Sequence, residues 1–121
     1  MTTRQIAVLD ANNALQVIST VDALLVQETT ITPSNVAISA TANNLLVANT
    51  SRIRVIITNP LLTTLYVRKA LANTSPATTS PGGYDFAISS SGTYISDPYE
   101  YSGAYNAVAS SNGFVNVSES I

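Results

Sequence analysis

Neither cysteine nor histidine occurs anywhere in the 121 residues. Without cysteine there are no disulfides, no thiol catalysis and no thiolate metal site, and the redox compartment cannot be read from the chain. Without histidine there is no imidazole for a hydrolytic triad or for metal ligation. Lysine occurs once, at Lys69, and no glycine-rich phosphate loop or Gly-x-Ser-x-Gly elbow is present. This inventory is too poor for most enzyme classes, so a non-enzymatic protein with no cofactor or metal is expected. The bases form no run, which leaves phosphate neutralisation little to work with and predicts no nucleic-acid partner. No stretch approaches the length of a membrane span. The apolar run Ile6–Leu9 is too short for a signal peptide and ends at Asp10. A product made in the cytoplasm, soluble until used, is therefore expected.

What the chain does contain is neutral polarity. Hydrophobic residues make up 45%, too many for disorder, while charged residues make up only 10%. The polar surface must come from 15 Ser, 15 Thr and 11 Asn. Such a surface suits a protein whose faces pack against neighbours. The length fits one domain with a real core. Four of the five bases are Arg52, Arg54, Arg68 and Lys69, and the acids Asp85, Asp97 and Glu100 follow in the next third. Pairing between strands accounts for that asymmetry, as does complementarity between subunits.

Short apolar runs separated by Asn, Ser, Thr, Gly or Pro are the mark of an all-β chain. The pattern predicts strands at Gln5–Leu9, Leu15–Ser19, Leu24–Gln27, Asn35–Ala40, Asn44–Ala48, Arg52–Thr58, Leu65–Lys69, Tyr84–Ser89, Tyr94–Ser96, Tyr105–Ala109 and Phe114–Ser118. The expected fold is an antiparallel β-sandwich or a jelly-roll-like barrel with an extended N-terminal segment. Alternation places Ile53, Val55, Ile57, Leu65 and Val67 on one apolar interior. With Asn59-Pro60 opening the connection, Arg52–Thr58 and Leu65–Lys69 read as a central antiparallel hairpin. Ser111-Asn112-Gly113 reads as a second hairpin turn. Residues 70–80 lack periodicity and read as a surface loop closed by Pro81-Gly82-Gly83. A short helix is expected around Val21–Val26. Pro33 separates residues 1–32, an arm or edge segment, from a sandwich domain at 33–121.

Few constellations could carry chemistry. Asp97 and Glu100 flank Pro98-Tyr99, and a glycosidase needs two acids across a cleft; a turn with solvated acids explains them more simply. Asp10-Ala11-Asn12-Asn13 opens like a calcium loop, but Leu15 and Val21 stand where glycine and glutamate are required. The Asn-x-Ser/Thr triplets at Asn49, Asn73 and Asn116 match chance expectation in so Ser/Thr-rich a chain. The tyrosines say more. Tyr84, Tyr94, Tyr99, Tyr101 and Tyr105 fall within 22 residues. Tyrosine suits core capping, protein interfaces and sugar stacking alike. Tyr99 and Tyr101 share parity, which suggests one exposed aromatic face. These five, with Arg52 and Arg54, are the candidate interface residues.

The second half carries an ordered series. It runs Arg52-Ile53-Arg54-Val55-Ile56-Ile57-Thr58-Asn59, Leu65-Tyr66-Val67, Pro81-Gly82-Gly83-Tyr84, Tyr101-Ser102-Gly103 and Gly113-Phe114-Val115-Asn116-Val117-Ser118-Glu119. It resembles small virion proteins of tailed bacteriophages, among them capsid-accessory proteins, over roughly Arg52 to Glu119. The resemblance implies a β-sandwich displayed on or built into a phage particle, and no catalytic residues. The resemblance leaves capsid and tail or neck open. Low charge, abundant Ser, Thr and Asn, an arm-like N-terminus and the lack of chemistry point to a capsid decoration, or cement, protein bridging major capsid subunits as a homo-oligomer, and the resemblance suggests a trimer. A tail, neck or fibre-associated virion protein is the alternative. A carbohydrate-binding module using the tyrosine cluster on host glycans is the alternative of another class.

Overall fold

The computed structural model describes Val8–Leu9, Leu15–Gln16 and residues 30–121. Ten strands occur among them: β1 Val8–Leu9, β2 Leu15–Gln16, β3 Ile31–Ile38, β4 Asn43–Leu46, β5 Arg54–Thr58, β6 Leu65–Arg68, β7 Phe86–Ile88, β8 Thr93–Ile95, β9 Tyr105–Val108 and β10 Gly113–Ser120. No helix occurs among the described residues. The expected helix at Val21–Val26, the strand at Leu24–Gln27 and the rejected calcium loop at Asp10–Asn13 lie outside them. β1 and β2 pair with each other, Val8 opposite Gln16 and Leu9 opposite Leu15.

The other eight strands form two antiparallel sheets, in the orders β3-β10-β5-β8 and β4-β9-β6-β7. The sheets pack face to face as an open sandwich and are not closed into a barrel. The wiring is that of a jelly roll: from β3 to β10 consecutive strands alternate between sheets, except β6 and β7, which pair with each other.

Two expected hairpins are therefore corrected. β5 and β6 lie in opposite sheets, as do β9 and β10. Alternation places Val55 and Leu65 inside whether the strands pair or face each other, so parity alone cannot distinguish the two. The turn decides, and here Asn59 decides it. Its buried amide donates to the carbonyls of Thr63 (2.9 Å), Ile88 (2.9 Å) and Ser89 (3.2 Å), and its Oδ1 accepts the Leu61 N–H at 3.0 Å. The Asn59 backbone also exchanges bonds with the β7–β8 connection, donating to Gly92 and accepting from Ser91. Two crossings are thus tied to one side chain. At the β9–β10 crossing, a Cβ on Gly113 would lie 2.4 Å from Leu61 Cδ2, so a side chain there would make the buried leucine shift.

The core is the one parity predicts. Ile53, Val55, Ile57, Leu65 and Val67 are all buried, joined by Ile38, Leu45, Ile88, Tyr105, Ala107, Val115 and Val117.

Pro33 does not end a segment; it lies within β3, opposite Ser118. Thr30 and Ile121 exchange both backbone bonds. The two-residue period of an antiparallel pair then turns the nitrogen of residue 33 away from β10, to the open side of an edge strand, where proline costs no ladder bond. The sandwich accordingly takes in Ile31 and Thr32.

The loop between β6 and β7 covers one outer face. Asn106 points outward from β9, accepts the Ala77 N–H at 2.7 Å, and donates to the carbonyls of Ala70 (2.8 Å) and Ser75 (3.1 Å). Asn44 on β4 accepts the Ala72 N–H at 2.7 Å. Gly82, at φ +84°, turns the chain back in the Pro81-Gly82 turn, with Gly83 donating to the Ser80 carbonyl.

Candidate functional site

The candidate residues gather mostly at one end of the sandwich, around a buried arginine. Arg52 lies two residues before the start of β5 and is 3% exposed. Its Nε donates to Glu119 Oε1 at 2.7 Å, Nη1 to the Gly103 carbonyl at 2.6 Å and the Tyr101 carbonyl at 3.4 Å, and Nη2 to the Val47 carbonyl at 2.6 Å. The guanidinium carbon lies 5.5 Å from the centre of the Tyr105 ring. A planar fork with fixed donors can hold three chain segments at once, which lysine cannot do. Arg52 joins the β4–β5 connection, the β8–β9 connection and β10. It was expected at an interface; its donors are instead committed inside the chain. Arg54, two residues on, is half-buried and reaches the Ser96 carbonyl at 3.4 Å.

The segment after β8 makes a tight turn, Asp97-Pro98-Tyr99-Glu100, closed by the Glu100 N–H on the Asp97 carbonyl at 3.2 Å. Pro98 presets its own φ, and Tyr99 takes a left-handed φ of +59°. For a bulky aromatic residue that conformation is unfavourable. The Tyr99 N–H bonds the Ile53 carbonyl at 2.7 Å, which anchors the turn to the start of β5. The ring is left 69% exposed.

Glu100 is the polar centre of this end. Its carboxylate accepts a short hydrogen bond from the Tyr94 hydroxyl, a 3.3 Å bond from Lys69 Nζ and a 3.2 Å bond from the Asp97 N–H. The Tyr94 bond is the main influence holding the Glu100 carboxyl below its usual range; partial burial opposes it, and Asp97 and Lys69 add to it. Burial, followed by the carboxylate, pushes the Tyr94 hydroxyl well above the usual tyrosine range. Asp97 and Glu100 thus sit on one turn and not across a cleft. Among the described residues, no group of three or more acids could hold a metal.

The five tyrosines do not form one surface. Tyr94 stacks on Phe86 with ring centres 4.2 Å apart, closing the gap between β7 and β8. Tyr101 folds inward, its ring edge-on to Tyr105 at 5.2 Å and its hydroxyl donating to the Lys69 carbonyl at 3.2 Å. Tyr105 is wholly buried, its hydroxyl has no partner, and burial pushes its pKa up to about 12. Tyr84 packs edge-on against Tyr66 at 4.9 Å, and Tyr66 lies on the loop-covered outer side of β6. Tyr99 and Tyr101 share sequence parity but not a face, because alternation holds only within a strand. Of the five, Tyr99 alone is broadly exposed. It borders a cleft of about 350 Å³ with Thr50, Arg52, Glu100, Tyr101 and Ser102.

Sequence reasoning missed Asn59, Asn106 and the Arg52–Glu119 pair. Asn59-Pro60 marks a turn but not a buried amide. Arg52 and Glu119 stand 67 positions apart with no local pattern to link them. Comparison of the chain with protein-family models, curated proteins and solved structures yields no match.

Proposed function

We propose that the chain is a structural protein of a bacteriophage particle, a capsid decoration protein that docks on major capsid subunits and bridges them. The observation that carries this reading is Tyr99. A large aromatic ring is held in water, at an unfavourable backbone angle, on a turn fixed by Ile53 and Glu100 and backed by the Arg52 clamp. Strain kept on a rigid platform is a feature of ligand clamps and docking sites. An exposed tyrosine on a fixed stretch of backbone is the kind of side chain that anchors protein interfaces. Val47 is also exposed, and its carbonyl is held by the same arginine. The resemblance of Arg52–Glu119 to phage virion proteins, the neutral composition and the jelly-roll wiring, which viral capsid domains also use, support the same reading. A glycan platform would call for several exposed rings, and this end offers one.

Tyr99→Gly tests it. Glycine accepts the left-handed angle, so the variant should fold with an unchanged or raised melting temperature. It should nevertheless bind capsids at least tenfold more weakly, about 1.4 kcal/mol or more. A folded Tyr99→Gly protein that decorates capsids like the parent would refute the docking role. Wild-type protein found only on tails of purified particles would move the reading to the tail or neck.

A further inference from the structure

We infer that the outer face of the β3-β10-β5-β8 sheet is where a second copy of this chain docks, face to face about a two-fold axis. The registers place outward side chains in rows that cross the strands. One row reads Asn35, Asn116, Thr58, Thr93. The next reads Pro33, Ser118, Ile56, Ile95. On the other side of the first row Ala37 lies beside Phe114, which is 62% exposed. The hydroxyls of Thr58 and Thr93 are 3.4 Å apart. No residue in these rows ionises. A charged residue, Arg54, lies in the margin row with Ile31 and Ser120.

Such a face selects its partner. A charged surface laid on it would lose water and find no counter-charge, which is costly. A surface of neutral amides, hydroxyls and apolar side chains loses nothing comparable, and the chain itself supplies one. A two-fold axis parallel to the strands, between β10 and β5, lays each row on itself end for end. Asn35 and Asn116 then face Thr93 and Thr58 of the second copy, amide to hydroxyl. Pro33 and Ser118 face Ile95 and Ile56. This is an isologous contact, and two sheets stacked about 10 Å apart with nearly aligned strands are an established packing.

Strands about 4.8 Å apart at about 3.4 Å per residue, with eight, eight, five and three residues, outline roughly 400 Å² of plane per copy. A standard stable interface takes about 800 Å² of accessible surface per partner. The pairing is therefore weak and shows at high concentration. It does not rest on the virion reading, and pairing in twos differs from the trimer that the phage resemblance implies.

Sedimentation velocity on the full chain, from about 10 μM to about 1 mM, tests the inference. The protein should pass from monomer to dimer over that range. Asn116→Lys should weaken dimerisation at least tenfold, whereas Leu62→Lys, at a 92% exposed position off this face, should not. Because the chain has no cysteine, Asn116→Cys can be cross-linked by a short bis-maleimide. It should give covalent dimers at high concentration, and Leu62→Cys should not. A monomer throughout, a trimer, or a dimer indifferent to Asn116→Lys would overturn the inference. So would a face that becomes protected only when capsids are added, which would assign it to a capsid subunit.

Discussion

Val108 and Phe114 are six positions apart and both point outward from the sandwich, yet one is 4% exposed and the other 62%. The difference lies in what each sheet carries on its outside. On the sheet of β9, the chain folds its own β6–β7 loop over the surface and fastens it with Asn106 and Asn44. On the sheet of β10, Pro33, Asn35, Thr93, Ile95, Phe114 and Asn116 are exposed, Ile56, Thr58 and Ser118 between them are half-buried, and none of them ionises. Jelly-roll wiring gives both sheets a matched inner face and leaves the outer faces to be finished separately. One is finished within the chain; the other is suited to a neighbour.

That contrast can be broken experimentally. The largest effect should come where neither outer face is involved, at the clamp that ties both sheets. Arg52→Met leaves the Glu119 carboxylate and three carbonyls without their donor and should cost about 3–5 kcal/mol. Urea unfolding would read that as a large fall in midpoint, with both sheets lost together.

Next comes the covered face. Asn106→Ala strands two carbonyls and the Ala77 N–H, and about 2–4 kcal/mol should go, given about 1–3 kcal/mol for a buried group left unpaired. Asn116→Ala, the same change on the open face, should stay within about 0.5 kcal/mol. Equal losses at the two asparagines would remove the distinction between the faces.

A smaller effect than that of Asn106 concerns Tyr105, in the core that both sheets share. Its hydroxyl is buried without a partner, so Tyr105→Phe should stabilise by about 1 kcal/mol. The pH dependence follows from its pKa near 12, against an ordinary value of 10.0. The unfolded chain gives up this proton first as pH rises. Stability is therefore full below pH 10 and falls by about 1.4 kcal/mol per unit between about 10 and 12. Thermal melts in that window should show a shallower fall for Tyr105→Phe. A loss of stability at neutral pH would mean that the hydroxyl has a partner.

Strand positions and inward parity were legible in the sequence because a two-residue period survives in any β-context, and Val55, Ile57, Leu65 and Val67 followed it. Partnership was not legible. A Ser-Asn-Gly turn and an Asn-Pro turn look alike whether the chain doubles back or crosses the sandwich. What separates the cases is a buried side chain such as Asn59, or the space that Gly113 leaves for Leu61, and these depend on residues far along the chain. At the site, the clustering of tyrosines marked the end of the sandwich where Tyr99 stands, but which ring faces water was settled by the Pro98 turn and the Arg52 clamp. The neutral rows were legible only as composition. It takes the registers to show that Asn35, Asn116, Thr58 and Thr93 line up.

The most direct test of the contrast between faces is hydroxyl-radical footprinting of the intact chain at low and at high concentration, read by mass spectrometry. Val108 should be protected at both, under its own loop. Phe114 and Ile95 should be oxidised readily in dilute protein and lose labelling as concentration rises. Phe114 already protected in dilute protein, or labelled equally at both concentrations, would contradict an open face that a second copy closes.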